Sequence, residues 1–484
     1  MQDQVNTILQ SFGWVIPEII LCSAFLIILV AGLFRLQRVV LLTLALITFA
    51  SVGAAIVTDL YTTSPTLFGM MHTDGVSSFV KMLINISALL TCVLSIRNKG
   101  VHRSEYFAFL VAIVFGAHLL VMTTNFLLIF ISIEIISISS YVLAGYFFDK
   151  KSAEGSLKYF LFGSVSAAVM LYGFSFLYGF TGSIDFATNE FVSSLASSEN
   201  SLTYLALFFV LAGFLFKISS APMHFWAPDV YESAPAPVVA FLSTVPKLAG
   251  LTVLLKFLFT INLGGQSPLD WQFYITCVAI LTITVGNFAA LKQTNVKRMM
   301  AYSSIAQSGF LMIGLIVFLP QGVEFFLFYA SVYVVSNFLV FALINSFEIS
   351  GTTTIAEYSG TGKIFVLTNV LLLVGLISLT GLPPTAGFTA KLFVFSALWA
   401  GFQQSGNTIL ITLLVVGLLN TVVSLFYYLR IPYYAFLKNG KPAISHNILS
   451  FENLLGAILV LVLLILFFQP GLLMSWINKI NFVL

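Results

Sequence analysis

Apolar residues in this chain come in near-continuous runs of about 20, separated by short polar joints, which is the length of helix that crosses a bilayer core. Fourteen such runs are expected, near 15–34, 39–58, 76–96, 105–123, 125–147, 155–181, 202–231 and 236–260, then 270–290, 300–319, 322–347, 363–400, 407–431 and 452–475. The pattern predicts an all-α polytopic membrane protein. The division between the fourth and fifth runs rests on the short polar joint Thr123-Thr124-Asn125.

Two of the runs are interrupted. The seventh is broken at Ser219-Ser220-Ala221-Pro222, and the twelfth at Thr380-Gly381-Leu382-Pro383-Pro384-Thr385-Ala386-Gly387. Proline lacks a backbone donor and clashes with the preceding turn, so a helix must open there. Opened backbone is tolerated at membrane depth only where it is buried in protein or lines water. One broken apolar segment in each half is the pattern expected of an ion pathway between internal repeats.

Composition agrees with the spans. Of 484 residues, 59% are hydrophobic and 8% charged, where a soluble domain carries about a quarter charged. The net charge of +3 is small and dispersed, which argues against nucleic acid as a partner. Cys22, Cys92 and Cys277 stand singly in apolar runs, without metal-binding spacing, and are expected to be small buried hydrophobes. The first run has no basic stretch before it and no cleavage site after it, so it is expected to be a retained span.

The cations are distributed by loop. Alternate loops hold Arg35 and Arg38; Arg97, Lys99 and Arg103; Lys150 and Lys151; Lys292, Lys297 and Arg298; Lys363; and Arg430, Lys438 and Lys441, while the other side holds only Lys479. Cytoplasmic loops carry the excess of Lys and Arg, which places both termini on the non-cytoplasmic side. Six lysines remain inside spans: Lys81, Lys158, Lys217, Lys247, Lys256 and Lys391. Lys81, Lys158 and Lys256 lie near span ends and are expected to snorkel to the headgroups. Lys217, Lys247 and Lys391 are deeper and flanked by breaks or proline. At roughly 3 kcal/mol each on insertion scales, they are the candidates for a proton or ion route.

Glu134, near the middle of the fifth run, is the one comparably deep carboxylate, and Ser137 and Tyr141 share its helix face. A charged carboxylate there needs a cationic partner, and Lys217 is the expected one. Glu18, Glu105 and Glu452 lie nearer span ends and are expected to be interfacial. His72, His102 and His446 fall in loops, and His118 is expected to be a lone helix residue. His224 directly follows the break at Pro222, which suits a relay between lysines. No pair of histidines is spaced for zinc or haem, and there is no phosphate loop, so no redox, metal or nucleotide site is expected in this chain.

The strings Ala221-Pro222-Met223-His224-Phe225-Trp226-Ala227-Pro228-Asp229-Val230-Tyr231, Ala234-Pro235-Ala236-Pro237-Val238 and Lys297-Arg298-Met299-Met300-Ala301-Tyr302-Ser303-Ser304 resemble the antiporter-like membrane subunits of respiratory complex I. The resemblance covers most of the chain. It implies two inverted five-helix repeats, at 105–260 with a break near 219–223 and at 261–431 with a break near 381–387. A three-helix segment at 1–104 and a loop with a last helix at 432–484 would flank them. The chain stops one span after the second repeat, unlike the family member with a long C-terminal extension. It also has Lys391 where another member has glutamate. Some relatives have a histidine near Gln307, so a relay at that position is not expected here.

The resemblance further implies roles. Glu134 matches the family's mid-membrane carboxylate, Lys217 its broken-helix lysine, Lys247 its central lysine and Lys391 its exit-side lysine. It implies a proton-translocating subunit of an NADH-quinone oxidoreductase in the bacterial inner membrane, a translocase subunit that binds no cofactor itself. NADH, FMN, iron–sulfur clusters and quinone would be handled by other subunits. Partners would be neighbouring antiporter-like and small membrane subunits, the peripheral redox arm and the lipid bilayer. A cation/proton antiporter or a membrane-bound hydrogenase would use the same broken helices and lysines. A purely structural arm subunit is the remaining alternative, and it leaves the insertion cost of four deep ionisable groups without return.

Overall fold

A computed structural model describes residues 12–34, 36–59, 64–66, 69–98, 103–197, 201–262, 269–440 and 451–480. Arg35, Lys99, His102, Lys441 and His446 lie outside them. In order, the helices are α1 (Ile16–Leu33), α2 (Arg38–Asp59), α3 (Gly75–Ser95), α4 (Ser104–Met122), α5 (Phe126–Ala144), α6 (Lys150–Thr181), α7 (Asn189–Ala196), α8 (Ser201–Lys217) and α9 (Ala227–Ser233). They continue with α10 (Ala236–Asn262), α11 (Trp271–Leu291), α12 (Val296–Ile316), α13 (Pro320–Ile349), α14 (Thr361–Ile364) and α15 (Val366–Thr380). The last are α16 (Ala386–Ser405), α17 (Thr408–Pro432), α18 (Phe451–Phe468) and α19 (Gly471–Ile477). One small antiparallel hairpin, β1 (Ser64–Thr66) with β2 (Met71–Thr73), precedes α3 and contains His72.

Twelve helices among the described residues are long and apolar enough to cross a membrane, and the two shorter apolar helices α8 and α15 begin the two broken segments. The expected fourteen crossings are thus accounted for. The final run is shorter than expected: α18 stops at Phe468, and Pro470 starts the separate short α19, because proline cannot continue the preceding helix.

Burial sorts the helices. α10 is buried along its whole length and α12 and α13 nearly so, whereas α1, α6, α17 and α18 expose most of theirs. Exposed Leu26, Ile27 and Val30 on α1, and Leu418, Leu419 and Val422 on α17, form stripes suited to lipid. Cys22 and Cys277 are exposed rather than buried, and Cys92 alone is in the interior. Such apolar stripes hold little information about which face is inside, so the sequence pattern misplaced the first two.

The described residues form two compact units, 1–218 with 245–271 and 479–484, and 219–244 with 272–478. In the first, α6 packs on α8, α5 on α4 and α6, and α1 on α4. The aromatic stack of Phe126 on Phe174, with ring centres 4.5 Å apart, ties α5 to α6. In the second, α13 packs on α12, α15, α16 and α18. Asn287 of α11 binds Asn420 and the Tyr427 hydroxyl of α17.

Candidate functional site

The first break falls where α8 ends. Lys217 is its last residue, the chain opens over 218–226, and Pro228 starts α9. Part of the opened backbone is satisfied by a side chain, as burial requires. The Ala221 N–H donates to Thr282 Oγ1 at 3.1 Å, and the Ser220 and Thr282 hydroxyls are 2.6 Å apart. Ser219 has φ of 55°, a left-handed conformation uncommon outside glycine. A helix cannot pass through it.

Lys217 is buried, and its Nζ donates to Ser137 Oγ at 3.0 Å. Ser137 is one turn beyond Glu134 on α5, so the ammonium lies beside the carboxylate-bearing face, and the two charges act on each other. Glu134 is half-buried. The group that holds the Lys217 ammonium is thus the Ser137 hydroxyl, on the same helix as Glu134. Lys247 lies within α10, one residue after Pro246, and is buried.

The second break supplies a cation site. α15 ends at Thr380, and Gly381 follows with φ of 89°, in the left-handed region that glycine enters without cost. The last carbonyls of a helix lack intrahelical partners and carry partial negative charge. Two side chains use them: Lys391 Nζ donates to Thr380 O at 2.8 Å, and Gln307 Nε2 to Leu379 O at 2.8 Å. The Lys391 ammonium also stands 4.2 Å from the centre of the Phe310 ring, a cation–π contact. Gln307 in turn accepts from the Tyr329 hydroxyl at 2.5 Å. Although not a histidine, it is a hydrogen-bonding member of this site. His224 sits inside the first break, buried, with its ring 4.5 Å from that of Phe225.

Sequence reasoning missed three charge clusters. Lys81 and Lys256 do not snorkel. Lys81 pairs with Glu18 at 2.7 Å, and both are buried. His118, expected to be alone, faces the same Glu18 oxygen at 3.1 Å. Lys256 pairs with Asp74 at 2.7 Å and donates to Ser77 Oγ and Val121 O. Lys158 does reach outward, in a partly exposed pair with Glu154. Of the carboxylates expected at interfaces, Glu105 is exposed, while Glu18 and Glu452 are buried. The third cluster joins α9 to α10: Lys297 binds Glu348 and the Ala234 carbonyl, while Glu348 also accepts the Ala236 N–H. Arg298 clamps Asp229 and Glu232 of α9. Residue spacing gave no signal for these pairs, because their partners are 51 to 182 positions apart, and periodicity reports only near neighbours.

Residues 123–420 match the family described as NADH:quinone oxidoreductase/Mrp antiporter, TM. The chain belongs to that family. This span contains both broken segments and Glu134, Lys217, His224, Lys247 and Lys391. The NADH-quinone oxidoreductase subunit N 2 of Chloroherpeton thalassium is 36% identical, over 97% of this chain and 95% of that one. A chain of the respiratory complex I from Thermus thermophilus superposes with a TM-score of 0.82 at 29% identity, covering 96% of this chain and all of that one. A chain of the Mrp complex from Dietzia reaches a TM-score of 0.84 at 18% identity, a likeness of fold alone. The Glu18, Lys81 and Asp74 side chains lie outside the matched residues.

Proposed function

We propose that this chain is a proton-translocating membrane subunit of an NADH-quinone oxidoreductase, with Glu134, Lys217, Lys247 and Lys391 as its proton carriers and His224 as a relay beside the first break. The observation that carries this reading is a pair of interrupted helices, each with a buried lysine at its open end, in a chain with near-full-length likeness to a subunit N. A buried ammonium is expensive unless it is paired. Moving Glu134 relative to Lys217, or the α15 terminus relative to Lys391, changes that pairing and so shifts each lysine between holding and releasing a proton. Displacement begun in a neighbouring subunit supplies the work.

In this reading, the Lys- and Arg-rich loops face the cytoplasm of a bacterial inner membrane, the termini face outward, and residues 105–260 and 261–431 are inverted repeats. NADH, FMN, iron–sulfur clusters and quinone belong to other subunits. The fold is shared with the Mrp complex, so a cation/proton antiporter reading is kept apart by the subunit N likeness and not by architecture. The test is Lys247→Ala in the assembled complex reconstituted in liposomes. The expected result is a lower proton yield per NADH oxidised. An unchanged yield would remove Lys247 as an obligatory carrier.

A further inference from the structure

Glu18, Lys81 and His118 come from three helices and meet at one end of them. Glu18 is two residues into α1, Lys81 six into α3, and His118 four from the end of α4. At 1.5 Å rise per residue, that is roughly 3 to 9 Å inside the helix ends. It is the end opposite Arg38, Arg97 and Arg103, the cations of the adjoining loops. All three groups are buried, with exposures of 4%, 2% and 0%.

The hydrogen-bond inventory of the cluster is incomplete in one specific way. Glu18 Oε1 takes both the Lys81 ammonium, at 2.7 Å, and His118 Nδ1, at 3.1 Å. A carboxylate that already holds an ammonium is an acceptor, so Nδ1 carries the imidazole proton toward it. The other ring nitrogen, Nε2, is then a bare lone pair, and it has no hydrogen-bond partner among the described residues. Glu18 Oε2 has none either. One cluster thus holds two buried polar atoms without a hydrogen-bond partner, an imidazole nitrogen and an oxygen of the carboxylate beside it, and buried polar atoms are ordinarily partnered.

The other titratable groups near these helices are accounted for. Asp74, at the α3 N-cap, is paired with Lys256 from α10. Tyr106 on α4 binds Ser95 at the far end of α3, the end that also holds Cys92. Arg38 of α2 binds the Ser95 and Ile96 carbonyls. Glu105 is exposed at the start of α4, and Glu134 belongs to the Lys217 site on α5. The Lys81 main chain also faces the His118 ring, and none of these groups is a hydrogen-bond partner of Nε2 among the described residues.

We infer that Glu18, Lys81 and His118 form a proton-holding site of the N-terminal helices, on the side from which protons leave. One proton adds to His118 Nε2, neutral imidazole becomes imidazolium beside the Glu18 carboxylate, and the cluster passes from net zero to +1. No bond between heavy atoms forms or breaks. The neighbouring Lys256 cluster shares α3 and α4 with it, through Ser77 and the Val121 carbonyl, and Lys256 lies nine residues beyond Lys247 on α10. Both clusters are thus held by the same two helices, α3 and α4. The proton-holding site's use in pumping, and the change of protonation during turnover, rest on the function proposed above.

The test is redox-triggered infrared difference spectroscopy of the assembled complex with ring-labelled histidine, alongside proton yield per NADH. In the wild type, an imidazole protonation band is expected that His118→Gln abolishes, with a reduced proton yield. Glu18→Gln keeps an acceptor for Nδ1 but removes the anion, so the band is expected to vanish although His118 remains. A band and a yield per assembled complex that survive both substitutions would overturn the site and leave only a structural ion cluster, as would a wild type without the band. If Lys247→Ala pumps normally while the His118 band persists, the relay reading fails and this one stands.

Discussion

The Lys256 cluster permits a quantitative test of how the helix that bears Lys247 is held. Lys256 spends its three ammonium hydrogens on Asp74 Oδ2, Ser77 Oγ and Val121 O, at 2.7, 2.7 and 2.9 Å. Both charged partners are nearly fully buried. Asp74→Asn removes the negative charge but keeps an oxygen for the Ser77 N–H, which now donates to Oδ1 at 2.6 Å. The α3 cap, worth about 1 kcal/mol, is therefore preserved, and the loss isolates the ion pair. Stranding a buried ammonium costs about 3–5 kcal/mol, roughly two to four powers of ten in the folding equilibrium. Lys256→Met strands the carboxylate and is expected to cost a similar amount. The double substitution buries no unpaired charge and is expected to recover most of the loss. The assay is thermal inactivation of the purified complex together with the amount of this chain assembled in membranes. The expected order of midpoints is wild type and double variant together, with both single variants well below. Effects that simply add in the double variant would refute the claim that pairing, and not packing of the lysine stem, holds the two helices.

Two further substitutions address the breaks. Gly381→Ala forces a Cβ into a left-handed backbone, at about 1 kcal/mol, and brings it to 2.6 Å from Lys391 Cδ. The expected outcome is displacement of Lys391 and a lower proton yield per NADH; full pumping would show that the position of Lys391 against α15 is immaterial. Glu348→Gln leaves Lys297 without its anion while keeping an acceptor for the Ala236 N–H. Because Glu348 is partly exposed, the loss is expected to be about 1–2 kcal/mol. It is read as faster hydrogen–deuterium exchange across the α9 to α10 joint, and unchanged exchange there would count against this strap.

The sequence alone determined the crossings, both breaks and the deep lysines. An apolar run long enough to span a bilayer, a proline within it and an ionisable residue far from its ends are local facts, and hydrocarbon penalises each violation so heavily that little else is compatible with them. Glu134 was the natural partner to expect for Lys217, since few deep charges of opposite sign were available, but the hydroxyl that takes the ammonium, Ser137, is visible only in the fold. The same reasoning went wrong at Lys81, Lys256, Glu18 and His118. Distance from a run's end does not measure distance from water, because near a helix end a charge either snorkels or finds a partner on another helix. Only the packing of α1 against α4 and of α10 near α3 decides which, because that places Glu18 and Asp74 within reach of the lysines. The role of Gln307 was likewise invisible, since its partner is a backbone carbonyl freed by a break 72 positions away, and carbonyls carry no sequence signature. Hydrophobic length fixed where the chain crosses. Tertiary structure alone chose which polar groups meet, because a buried charge is satisfied by whichever partner the fold brings within about 3 Å.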